Sequence, residues 1–316
     1  MNSLEYQNDK LVFDQLSLHD ISKDITTPFY LYSENLIKKN IREYISHATG
    51  ETLFCYSVKA NSNLSILKLI AAEGMGFDVV SKGELYRVIK SGADPKKVVY
   101  SGVGKTKSEI RYALENNILC FNVESEGELL VINEEASYLS VTANISIRVN
   151  PDVAVESHPY ISTGMKDNKF GITYNNALAL YIKASKLSSL NIIGIDFHIG
   201  SQITSIQPYL DSIKSIRSLV SELKKENINI THIDVGGGLG ISYEDEDIVS
   251  KGDYIKEITN SLKDLNLTIL FEPGRSVIGD CGLLVTKLQY IKESETKNFM
   301  IVDASMSELL RPPLYD

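Results

Sequence analysis

The run Phe54-Cys55-Tyr56-Ser57-Val58-Lys59 ends on the residue in this chain best suited to covalent chemistry. An amine delivered at the end of a β-strand can condense with an aldehyde, if burial beside other cations lets it lose its proton near neutral pH. Three more signals hold equivalent places. His198 follows Asn191–Phe197, the turn Gly236-Gly237-Gly238 follows His232–Val235, and Glu272-Pro273-Gly274-Arg275 follows Leu267–Phe271. Singly, each has a plainer reading: a solvated lysine, a core histidine, a tight turn, a loop acid. Together, at four strand ends, they describe an active site. The three glycines would let backbone N–H groups approach an anion closely, ahead of a helix N-terminus.

The elements that must hold these residues alternate regularly. Strand candidates are Thr52–Val58, Gly76–Val80, Val98–Ser101, Leu119–Val123, Asn144–Val149, Asn191–Phe197, His232–Val235 and Leu267–Phe271. All are short, apolar and rich in β-branched or aromatic residues, as strands buried on both faces should be. Helical spacing of apolar residues marks Asn63–Glu73, Ser81–Ser91, Lys107–Asn116, Glu126–Glu135, Asn175–Leu187, Ser205–Glu226 and Asp253–Leu262, with Ser62, Ser81, Thr106 and Ser125 placed as N-caps. Strands with helical crossovers in this number predict an α/β fold, a (β/α)8 TIM barrel, rather than a doubly wound sheet. Active sites of such barrels sit at the C-terminal strand ends, with phosphate commonly bound after the last two strands. The triple glycine and the Glu-Pro-Gly-Arg turn fall there.

The predicted division is 1–30 as the N-terminal segment of a β-domain, 31–276 as the barrel, and 277–316 as the start of a C-terminal β-domain. Leu11-Val12-Phe13, Pro28-Phe29-Tyr30-Leu31, Leu283–Ile291 and Asn298–Val302 supply its strands. That β-domain is incomplete, and strands without partners leave open edges, so the chain is expected to be a truncated form of a longer protein. The formal charge of -9 argues against a nucleic-acid partner or an anionic membrane, and no apolar run approaches the ~20 residues that cross a bilayer. Cys55, Cys120 and Cys281 are few and far apart, which suits buried hydrophobes in a reducing cytoplasm better than disulfides or a metal site. No metal is expected.

An ordered set of motifs makes the chain resemble the fold-type III pyridoxal-phosphate decarboxylases. These are Tyr56-Ser57-Val58-Lys59-Ala60-Asn61, Gly76-Phe77-Asp78-Val79-Val80-Ser81, Ser101-Gly102-Val103-Gly104-Lys105, Arg148-Val149-Asn150-Pro151, His158–Gly164 with Lys169-Phe170-Gly171, His198-Ile199-Gly200-Ser201-Gln202, Asp234-Val235-Gly236-Gly237-Gly238, Glu272-Pro273-Gly274-Arg275 and Arg311-Pro312-Pro313-Leu314-Tyr315. The likeness is greatest to members that convert meso-diaminopimelate to L-lysine and CO2.

The resemblance implies that Lys59 carries pyridoxal 5'-phosphate and that Glu272 keeps its ring nitrogen protonated, where racemases of the same barrel have an Arg. It implies that His198 stacks on the ring. Ser201, Gly236, Gly237, Gly238 and the Pro273-Gly274-Arg275 turn would hold the phosphate, with Asp78 near the cofactor, although helix capping accounts for Asp78 almost as well. Arg275, Arg311 and Tyr315 match positions that hold the distal carboxylate and amine of the substrate, and paired guanidiniums suit two carboxylates. A homodimer with shared active sites is implied. Its Cys-Glu-Ser segment and later Tyr would lie beyond Asp316, which bears on the activity of this chain. The rival readings are an arginine, ornithine or carboxy-polyamine decarboxylase, a non-catalytic pyridoxal-phosphate carrier, and a racemase.

Overall fold

A computed structural model describes residues 4–151, 169–243 and 246–310. Two compact units divide the chain: one takes the residues up to Ile37 and those from Asp280 onward, the other is Lys38–Gly279.

In the larger unit eight parallel strands close on themselves. In chain order they are Thr52–Ser57, Gly76–Val79, Val98–Tyr100, Cys120–Val123, Ala143–Asn150, Leu190–Asp196, His232–Asp234 and Thr268–Phe271. The eighth pairs with the first, and the fourth with the fifth, so no edge is left open. Each predicted strand is present, with ends moved by a residue or two. The barrel interior excludes water by packing apolar side chains such as Cys55, Val99, Cys120 and Leu270, and the cysteines fill it as small hydrophobes.

The crossover helices begin where short polar side chains satisfy free backbone N–H groups. Ser81, Thr106 and Ser125 cap as predicted, Thr106 in a reciprocal capping box with Glu109. The cap of Leu64–Ala72 is Asn63, not Ser62; its side chain accepts from the Ser65 N–H at 2.9 Å. Helix Glu34–Ser46, ahead of the first strand, was not anticipated.

The smaller unit contains antiparallel pairs. Leu4–Gln7, Lys10–Phe13 and Leu16–Ser17 form a three-stranded sheet, and Phe29–Tyr32 pairs with Gly282–Val285. The stretch predicted as one strand, Leu283–Ile291, is two: Gly282–Val285 ends before Leu288–Lys292 pairs with Phe299–Val302.

Candidate active site

Ser57 closes the first strand and Asp78 lies opposite it on the second, as register partners. Lys59 follows within a 3-10 turn, Val58–Ala60, which turns its side chain back over the strand ends. Its Nζ donates to Asp78 Oδ2 and, at 3.2 Å, to Ser57 Oγ. The Ser57 hydroxyl lies 3.0 Å from both Asp78 Oδ2 and the Glu272 carbonyl oxygen. The Lys59 side chain is 48% exposed whereas that of Asp78 is wholly buried. Asp78 therefore caps no helix here; Ser81 takes that role, and the Asp78 carboxylate faces the lysine.

Charge here differs from the cationic surroundings expected for Lys59. Desolvation pulls the amine down, but the charges of Asp78 and Glu272 outweigh it and raise its pKa. Burial likewise opposes the charge on Asp78, yet Lys59 and the hydroxyls of Ser57 and Ser101 hold its carboxyl below the usual range. The two form a buried-end ion pair that keeps a proton on Lys59.

A second layer of acids lies at the ends of strands six to eight, beside Arg148 on the fifth. Arg148 and Asp196 are register partners, as are Asp196 and Asp234. Carboxylate oxygens of Asp196, Asp234 and Glu272 lie within 4.8 Å of one another, all buried. Burial first, and then the charge of Asp234, drives Asp196 and Glu272 well above the ordinary carboxylate range, while burial, with Asp78 behind it, raises Asp234 to about 6. Such a spacing could also surround a metal ion, and without one the same crowding favours the protonated acids. Glu272, just past the eighth strand, therefore holds a proton more tightly than a free glutamate does. Asn122 Nδ2 reaches its Oε1 at 3.5 Å. Arg148 is tied to Glu124 at 2.9 Å and lies 3.8 Å from Asp196. Glu124 also accepts from the N–H groups of Gly102 and Gly171 at 3.0 and 2.9 Å, binding three loops to one carboxylate.

The glycine turn is stitched to its neighbours. The Glu272 N–H donates to the Gly236 carbonyl at 2.8 Å, and a Cβ on Gly237 or Gly238 would collide with the carbonyls of Glu272 or Gly200. Close packing of three strand-end loops, as well as ligand approach, thus requires these glycines. Gly236 and Gly238 also have φ of 66° and 103°. The N–H of Gly237 donates to His198 Nδ1 at 3.2 Å, so the histidine is the Nε2–H tautomer. Burial, with Arg148 and Lys59 behind it, pulls His198 down to about 3, and the ring is neutral. Arg275, opening the short helix Arg275–Ile278, donates to Tyr243 Oη at 2.6 Å and to Ser201 Oγ at 3.4 Å.

The sites predicted at Lys59, Asp78, His198, Ser201, Gly236, Gly237, Gly238, Glu272, Pro273, Gly274 and Arg275 thus occupy one end of the barrel. Arg311, Tyr315 and the His158–Gly164 segment lie outside the described residues. Sequence reasoning assigned nothing to Asp196, Asp234, Glu124 or Ser57. A carboxylate ending an otherwise apolar strand, as in Ile192–Asp196, was the available signal.

Residues 34–279 match the pyridoxal binding domain of the pyridoxal-dependent decarboxylases. Over 316 residues the chain is 47% identical to the diaminopimelate decarboxylase of Pseudomonas aeruginosa, covering 100% of this chain and 76% of that one. It is similar to the solved structure of diaminopimelate decarboxylase from Helicobacter pylori complexed with L-lysine, with a TM-score of 0.91 and 43% identity over 94% of this chain and 75% of that one. A third likeness is to the enzyme of the same name from M. jannaschii in co-complex with L-lysine, with a TM-score of 0.93 and 37% identity, covering 99% and 76%.

Proposed function

Because the chain belongs to the pyridoxal-dependent decarboxylases, we propose as its reaction the removal of CO2 from meso-2,6-diaminopimelate to leave L-lysine. The observation that carries this reading is the half-exposed Lys59 amine beside buried Asp78, with buried Glu272 just past the neighbouring strand.

The residues fit pyridoxal 5'-phosphate. An amine for its aldehyde, a buried acid for its ring nitrogen, and a positive-φ glycine turn beside Ser201 and Arg275 for its phosphate lie at one barrel end. When bound, the cofactor supplies an electron-poor ring that accepts the electron pair freed at the substrate α-carbon. The protein does the rest. Asp78 and Ser57 aim the Lys59 amine and hold its proton, so loading requires that this proton leave Nζ. Burial and the neighbouring Asp234, Asp78 and Asp196 penalise the Glu272 anion, which strengthens this carboxyl's hold on a proton where the ring nitrogen needs one. Neutral His198 offers a flat, uncharged face to a ring. Arg275, Arg311 and Tyr315 receive the distal carboxylate and amine, and bidentate guanidiniums favour a dicarboxylate over ornithine.

The same reading makes the protein a cytoplasmic homodimer with shared active sites, divided as 1–30, 31–276 and 277–316. The compact unit Lys38–Gly279 supports the barrel portion of that division. No helix among the described residues is long and apolar enough to cross a membrane. Two measurements on the purified chain test the reaction: lysine and CO2 release from meso-diaminopimelate with added pyridoxal 5'-phosphate, and the cofactor's absorbance shift with Lys59 intact or replaced by Ala. Faster turnover of ornithine or arginine, or an unchanged absorbance shift in Lys59→Ala, would sink the reading.

A further inference from the structure

The glycine turn is gripped by side chains from three separate elements, none of them among the groups expected to meet a phosphate directly. Asp234, the last residue of the seventh strand, accepts the Gly236 N–H on Oδ1 at 2.9 Å. His198 accepts the Gly237 N–H. Tyr209, on helix Gln207–Lys225, donates its hydroxyl proton to the Gly237 carbonyl at 3.0 Å, and its ring is fully buried against Tyr254, edge-on at 4.9 Å. Two of the three glycine N–H groups are therefore spent inside the protein. Of the three, only the Gly238 N–H has no acceptor among the described residues.

A run of three glycines is the most conformationally free segment a chain can contain, and ordering it on ligand binding costs entropy. Side chains that fix it beforehand remove that cost from the binding step. We propose that Asp234 and Tyr209 are positioning residues of this turn, holding it so that the Gly238 N–H, beside Ser201 and Arg275, meets the cofactor phosphate. This rests on the phosphate reading given above. It assigns Asp234 a duty at the phosphate end although its carboxylate also lies within 4.8 Å of Glu272, so one buried side chain touches the surroundings of both ends of the cofactor.

Pyridoxal has the ring and aldehyde of pyridoxal 5'-phosphate but lacks the phosphate, so the ratio of the two affinities isolates the turn. The full chain, freed of cofactor, is titrated with each compound, following absorbance at equilibrium, for the wild type, Asp234→Ala, Asp234→Asn and Tyr209→Phe. Loss of one fixed hydrogen bond predicts that Asp234→Ala lowers affinity for pyridoxal 5'-phosphate about tenfold more than affinity for pyridoxal. Asp234→Asn, which keeps an oxygen acceptor for the Gly236 N–H, should recover most of the preference. Tyr209→Phe should reduce it severalfold. An undiminished preference in Asp234→Ala overturns the proposal. If Asp234→Ala does not fold, as judged by circular dichroism, an undiminished preference in Tyr209→Phe overturns it instead. A wild type that binds both compounds equally would overturn the phosphate reading itself, a different failure visible before any variant is made.

Discussion

Lys59 and Lys105 follow the first and third barrel strands, each beside a buried carboxylate, and they are used in opposite ways. Lys105 is 1% exposed, and its three N–H donors go to the carbonyls of Gly102 and Asn122, at 2.9 and 2.8 Å, and to Glu128 at 2.7 Å. Every donor is satisfied, so nothing remains for a substrate. Lys59 spends two donors, on Asp78 and Ser57, and keeps about half its side chain open. The difference teaches that the residue type says little by itself. What marks a reactive lysine is an ion pair that orients the amine without consuming it.

The largest expected effect tests Lys59. Lys59→Ala should lower turnover of meso-diaminopimelate by about 10³-fold or more, since it removes the amine that condenses with the cofactor; lysine release reads this. Turnover near the wild-type rate would break the contrast at once. Lys105→Met should do the reverse. It strands the Glu128 charge in the interior, and thermal or denaturant unfolding should report a loss of about 3–5 kcal/mol, while kcat per folded molecule stays within a small factor. A stable but inactive Lys105→Met protein would mean that Lys105 belongs to the site after all.

Glu272 sharpens the same point on the acid side. Glu128 has a cation to face, whereas Glu272 sits among Asp196 and Asp234. Glu272→Gln removes the proton exchange at the ring nitrogen and should lower kcat about 10²-fold, with KM much less affected. An unchanged kcat would remove Glu272 from the chemistry.

The smallest effect concerns pH. His198 keeps no proton in the folded protein down to about 3, while an unfolded histidine takes one near its ordinary 6.5. Between those values the unfolded state binds more protons, so stability falls as pH drops through the window. His198→Asn should lessen that loss by about 2 kcal/mol at pH 5. A wild type and variant with parallel stability–pH curves would mean that His198 is charged in the fold.

Much of this was legible beforehand because buried parallel strands must be short, apolar runs. Thr52–Ser57 and Thr268–Phe271 stand out from their polar flanks for that reason. Helix Glu34–Ser46 was legible too and was passed over: Ile37, Ile41 and Tyr44, all buried, recur at helical spacing. The Leu283–Ile291 run hid a break because both of its strands are apolar on either side of it.

The order of residue types along the chain determined by itself the alternation of strand and helix, the family likeness, and the arrival of Lys59, His198, the glycines and Glu272 at strand ends. Periodicity and local propensity need no knowledge of distant residues. The partners of those groups were decided only by tertiary structure. Lateral register sets Asp78 against Ser57 and Asp234 against Asp196, and barrel closure brings the eighth strand, with Glu272 beyond it, beside the first. Those distant carboxylates raise the Lys59 amine and drive the Glu272 carboxyl upward, and side chains from other elements turn two glycine N–H groups inward. Charge and burial act through space, and the space exists only once the barrel has closed.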